Sequence, residues 1–144
     1  MTKKYLKKII AQNSEDLRTI SAICSEALVN QSEIKYLKKN KVFLIPIERP
    51  HKEDNKNKNV IKSIIKFDYI DASRSKNIDL NNKDKTLKIF AIDIFKKDQN
   101  YEIVLLFFNN EAITLTSEVI EVTLEDLDET LCCLLYTSPS PRDS

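Results

Sequence analysis

Residues 87–95 (LKIFAIDIF), 101–108 (YEIVLLFF) and 112–122 (AITLTSEVIEV) decide the fold. They are three consecutive runs rich in β-branched and aromatic residues, and the polar breaks between them, 96–100 and 109–111, are short. Connections of that length make neighbouring strands antiparallel. In the middle run Ile103, Leu105 and Phe107 share one face, and Val104, Leu106 and Phe108 share the other. A strand apolar on both faces is expected to lie centrally, covered from both sides. In the first run the alternation slips: Leu87 and Ile89 are in one phase, Phe90, Ile92 and Ile94 in the other. A β-bulge or two-sided cover accounts for such a slip, and the third run slips in the same way near Ser117 and Glu118.

Upstream, residues 60–72 read as one long strand, with Phe67 and Tyr69 pointing inward and Asp68 outward. Residues 33–37 and 42–47 read as a hairpin whose turn, 38–41, places Asn40 in the left-handed region. Pro46 marks an edge or an irregularity, and 50–59 (PHKEDNKNKN) is a polar loop. Ahead of the hairpin, Leu17, Ile20, Cys24, Ala27 and Leu28 recur at helical spacing. Asn13 or Ser14 supplies the N-cap, and Glu15 and Asp16 fall in the first turn, where the helix dipole favours acids. Residues 4–11 form a first strand. After the three runs, Leu124, Leu127 and Leu131 suggest a short closing helix. The fold class is therefore α+β: a curled, mainly antiparallel sheet of about seven strands with an N-terminal amphipathic helix. A half-barrel of pleckstrin-homology type is compatible with that element count, by analogy of fold alone.

Composition narrows the chemistry. The 144 residues carry 23 basic and 22 acidic side chains, so no global field attracts nucleic acid or an anionic membrane. The charge is uneven along the chain. Residues 1–66 hold fifteen basic and seven acidic side chains, and residues 67–144 hold eight and fifteen. Cross-strand pairing in a sheet absorbs such an asymmetry. Glycine is absent, which excludes a Walker loop, a dinucleotide fingerprint and a glycine-flanked serine elbow. It also leaves turns of positive φ to Asn. One histidine, His51, and three cysteines, Cys24, Cys132 and Cys133, make no metal-site spacing. Cys24 lies in the helix stripe and reads as a packed thiol. The longest apolar run is too short for a membrane span. The basic start is followed only by Ile9, Ile10 and Ala11, too little for a signal-peptide core. A cytoplasmic protein with no cofactor is expected.

Several stretches together carry a resemblance. They are Glu15, Asp16 and Leu17 with Ile20, Ser21 and Ala22; Ile34 to Leu37 (IKYL); and residues 67–75 (FDYIDASRS). Residues 87–95, 112–115 (AITL), 119–121 (VIE) and 124–127 (LEDL) complete the set. In order and spacing they resemble an uncharacterised bacterial family, domain-of-unknown-function family 2948. Members commonly carry glycines where this chain has Asn30 and Gln31, and again at Asn109 and Asn110. The resemblance implies no catalytic residue and no ligand. The final stretch, 133–143 (CLLYTSPSPRD), resembles a sequencing adapter translated in frame. That divides the chain into one domain over residues 1–132 and a foreign tail over 133–144.

The leading functional expectation is a non-catalytic binding or protein-interaction module. The alternatives are an enzyme or enzyme subunit using a carboxylate pocket, and a weak nucleic-acid or phosphate binder. Tyr5 and Tyr36 lie among lysines as the last would want, but they fit strand packing equally well. The internal stretch best placed for a ligand or partner contact contains Asp68, Ser73, Arg74 and Ser75. There a guanidinium flanked by hydroxyls offers a fork of donors to a carboxylate or phosphate. The competing expectation is that Asp68 and Arg74 each pair with charges across the sheet.

Overall fold

A computed structural model describes residues 8–50, 60–79, 81 and 84–127. Among these, ten strands and one α-helix are formed, in the order β1 (Lys8–Ala11), α1 (Ser14–Cys24), β2 (Leu28–Asn30), β3 (Lys35–Leu37), β4 (Val42–Pro50), β5 (Val60–Phe67), β6 (Ile70–Lys76), β7 (Thr86–Lys97), β8 (Asn100–Phe107), β9 (Ala112–Ser117) and β10 (Val122–Asp126). Every pairing is antiparallel, and the sheet runs β1-β10-β5-β4-β2-β7-β8-β9-β6 without closing. The strand β3 adds to β4 beside β2. Both β1, at one end of that order, and β7, in its middle, pack against α1. The sheet is therefore curled around the helix. The expected antiparallel α+β architecture is present, with ten strands in place of about seven. No helix among the described residues is long and apolar enough to cross a membrane.

The helix forms for the reasons its sequence supplies. Asn13 caps it, its side-chain oxygen accepting from the Asp16 amide at 2.8 Å, and Glu15 and Asp16 occupy the first turn. Leu17, Ile20 and Cys24 are buried against the sheet, each fully buried aliphatic side chain contributing roughly 1.5–3 kcal/mol. Leu28 departs from the expected stripe: it lies in β2, 42% exposed, and Val29 points inward instead. The helix stops at Cys24 because Glu26 turns the chain with φ 70°. The Glu26 amide then bonds to the Ile89 carbonyl at 2.7 Å, which commits the chain to β7.

The first two of the three runs pair as β7 with β8, and the third pairs with β8 as β9, but it breaks after Ser117 and its last residue, Val122, begins β10. The slip in β7 is a bulge between Ile89 and Ala91, and the Ile92 amide beyond it donates to the Ser21 hydroxyl of α1 at 2.9 Å. The turn after β7 is tighter than the break 96–100 suggests, since Lys97 pairs with Asn100. One expectation for β8 fails. Ile103, Leu105 and Phe107 are buried, but Val104 and Leu106 are only half-buried and Phe108 is exposed. The helix covers one side of the sheet, not both.

The segment read as one strand over 60–72 breaks in two. Tyr69 adopts φ 61° and is 51% exposed, not inward. At this corner the Asp68 amide bonds to the Glu121 carbonyl and the Ile70 amide to the Lys41 carbonyl. The chain thereby changes partners: β5 pairs with β4 and β10, whereas β6 pairs with β9. The left-handed residue of the β3–β4 turn is Lys41, φ 58°, not Asn40. Among the described residues, only three of the seven with positive φ are Asn. Leu124 belongs to β10 and not to a closing helix. Leu131, the loop around His51 and the adapter-like stretch lie outside the described residues.

Candidate functional site

Four places hold side chains whose arrangement invites chemistry. The first is buried. The inward phase of β4 runs Phe43, Ile45, Ile47 and then Arg49; that of β5 runs Ser63, Ile65, Phe67; that of β10 runs Val122, Leu124, Asp126. The last member of β4 and β10 and the first of β5 thus meet at one end of the core. Arg49 Nη2 donates to both Asp126 carboxylate oxygens at 2.9 and 2.8 Å, and Arg49 Nε donates to Ser63 Oγ at 3.3 Å. Ser63 Oγ in turn donates to Asp126 at 2.6 Å. Arg49 is 7% and Asp126 4% exposed. The Cys24 thiol is close enough to feel both charges. Burial, with a smaller contribution from Asp126, outweighs the pull of Arg49 and pushes the thiol up to about 12. So high a value keeps it protonated and unreactive.

The second is a half-open groove of about 500 Å³ where the sheet splits. On the edge away from β5, β4 is held by β3 through Val42–Leu44 and by β2 at Glu48. The stretch between has no strand partner on that side. Pro46 occupies it without leaving an N–H unpaired. The lining mixes apolar Leu28, Pro46, Ile64 and Leu127 with Glu33, Lys35, Glu48 and Lys62.

The third contains the residues singled out in the sequence, and the structure does not bring them together. Asp68 lies at the corner between β5 and β6, with Lys66 Nζ 3.8 Å away. A register shift between Ile70 and Ala72 separates it from the rest. Arg74 pairs with Thr114 of β9, and its guanidinium reaches diagonally to Glu102 of β8 at 3.0 Å. Ser73 and Ser75, adjacent in sequence, point to the opposite face of the strand. The guanidinium and the hydroxyls therefore do not form one fork. Charges that sequence reasoning passed over, Arg49, Asp126 and the buried Glu111, are salt-bridged inside the protein. For Arg49 and Asp126 the available signal was a charge standing in the inward phase of a strand.

The fourth is the outer face of β7, β8 and β9. Phe90, the bulge residue, is 56% exposed and stacks edge-on to Phe108 with ring centroids 5.4 Å apart. The Lys88 ammonium sits 5.3 Å from the Phe108 ring. Half-buried Val104 and Leu106 continue this surface across β8, and Phe95 stands exposed on β7. Among the described residues no group of three or more His, Cys, Asp or Glu could hold a metal ion.

The described residues define an α+β protein with one α-helix on an open antiparallel sheet. The chain matches the family model described as Protein of unknown function (DUF2948) over residues 7–141, and it belongs to that family. The match extends past Cys132 into the adapter-like stretch. No curated protein and no solved structure matches the chain.

Proposed function

We propose that this protein is a non-catalytic, cytoplasmic protein-interaction module that presents the outer face of β7–β9 to its partner. The observation that carries the reading is the exposed Phe90–Phe108 pair, continued by Leu106 and Val104. A contiguous apolar surface of this kind marks an interaction site more often than solvated surface does. Arg74, at the margin of the same face, is the sequence-predicted contact residue best placed to join it. The carboxylate-pocket alternative is less well supported, because Glu33 is half-buried and Glu48 exposed at the groove, while the buried Asp126 is committed to Arg49. By analogy of fold, a half-barrel of pleckstrin-homology type would suit a binding role.

A photoreactive phenylalanine analogue placed at Phe90 tests the reading, with the same residue at Leu28 in the groove as the comparison. Irradiation of cells is expected to give a discrete protein adduct from position 90 and none from position 28. Adducts from position 28 alone would move the interface to the groove and overturn the assignment.

A further inference from the structure

We infer that the partner of this face is a second copy of the same chain, packed sheet on sheet. The inference rests on the interaction-module reading and names its occupant. Register fixes which side chains share a row on the outer face. Asp93, Val104, Thr114 and Arg74 lie in one row across β7, β8, β9 and β6. The next row runs Ala91, Leu106, Ala112 and Lys76, with Phe90 bulging beside Ala91.

A twofold axis lying in the interface, parallel to the strands and midway between β8 and β9, exchanges the two ends of each row. Asp93 of one copy then faces Arg74 of the other. Leu106 faces Ala112, a larger side chain on a smaller one, and Val104 faces Thr114, two of nearly equal size. Lys76 comes over Phe90, a cation on an aromatic face. The charged ends of the row are of opposite sign and the centre is apolar, which is what an isologous contact requires of a surface that must match itself. Strands related by this axis run aligned, the common geometry of stacked sheets, which lie about 10 Å apart. The face carries Arg74, Lys76 and Lys88 against Asp93 and Glu102, and a partner that presents both signs, as a second copy does, matches the opposed ends of the row.

Sedimentation equilibrium of the full chain over a range of concentrations tests this directly. Self-association is expected, weakened about tenfold or more by Asp93→Arg, which sets like charges opposite each other. Adding Arg74→Glu to that variant is expected to recover part of the loss. Leu106→Asp should abolish the dimer. A far-ultraviolet circular dichroism spectrum like the parent's and a cooperative unfolding transition confirm that each variant is folded, and a midpoint lowered with loss of the dimer is expected. A monomer at every concentration overturns the inference, and so does a dimer indifferent to both Asp93→Arg and Leu106→Asp. The interaction-module reading fails separately: a monomer whose position 90 still crosslinks to a different protein refutes only the second copy.

Discussion

Arg49 and Asp126 grip each other with two hydrogen bonds although a whole strand, β5, lies between theirs. Ser63 on that middle strand bonds to both. The pair is reached only because three adjacent strands each turn a polar side chain inward at the same end of the sheet.

Removing one member should cost more than removing both. Asp126→Ala leaves a buried guanidinium without its counter-charge and is expected to destabilise the fold by roughly 3–5 kcal/mol. Arg49→Met combined with Asp126→Leu should cost clearly less, since apolar residues of similar volume often replace buried ion pairs without loss. Urea unfolding of the parent and the two variants measures the difference. A double variant as unstable as Asp126→Ala would show that the cluster is more than a mutually compensating pair.

Glu26 stands where a helix C-terminus usually has glycine, and its φ of 70° carries the left-handed penalty of a residue with a β-carbon. Glu26→Gly should therefore stabilise the protein by about 1 kcal/mol, despite glycine's freer unfolded state. The same change at Asn109, φ 71°, should gain less, because asparagine tolerates this region. A rise in melting temperature for the first variant exceeding that for the second is the check.

Cys24 predicts an alkaline limit. Its thiol is raised from 9.0 to about 12, so between those values the native state holds a proton that the unfolded chain releases. The stabilisation is complete below pH 9 and declines as pH rises toward 12, at about 1.4 kcal/mol per pH unit. Cys24→Ala lacks that increment, so its stability relative to the parent should improve as pH climbs through this window. Lysines and tyrosines titrate in both proteins alike, which is why the difference is the quantity to measure. A difference constant from pH 8 to pH 11 would contradict the assignment.

Two leucines of the expected helix stripe separate cleanly. Leu17→Ala should cost roughly 2–5 kcal/mol as a buried truncation. Leu28→Ala, in β2 and 42% exposed, should cost less than about 1 kcal/mol. Denaturant midpoints of the two variants measure this.

The antiparallel core was legible because alternation and turn length are local properties: β7, β8 and β9, the bulge in β7 and the Asn13 cap can all be read from neighbouring residues. The break at Tyr69 was not. Its cause lies in carbonyls of Lys41 and Glu121, far away in sequence, which draw the chain out of line. Leu28 was misplaced for a related reason: Glu26 ends the helix in a conformation its side chain does not announce. The covering of β8 was overestimated because apolarity on both faces records what a strand can contact, not what the chain provides. Among candidate site residues, Arg74 drew notice as a charge beside hydroxyls and Asp68 as an outward-pointing charge of the same expected strand. Arg49 and Asp126 had the stronger signal, a charge in an inward phase, which register with strands far along the chain turns into a pair.

The pairing of β1 with β10 alone has a consequence for synthesis. Lys8 sits opposite Glu125, so the first described strand to leave the ribosome waits for the last. Until β10 emerges, β1 has no ladder partner, and α1, which follows it directly, has only the β7 side of its seat. Nascent chains halted before Val122 has cleared the exit tunnel should accordingly be cut by protease near β1, while the β7–β9 meander is already protected. The chain reaches its full sheet in one late step, and the interval before that step is when an unmatched strand edge is offered to chaperones or to neighbouring nascent chains.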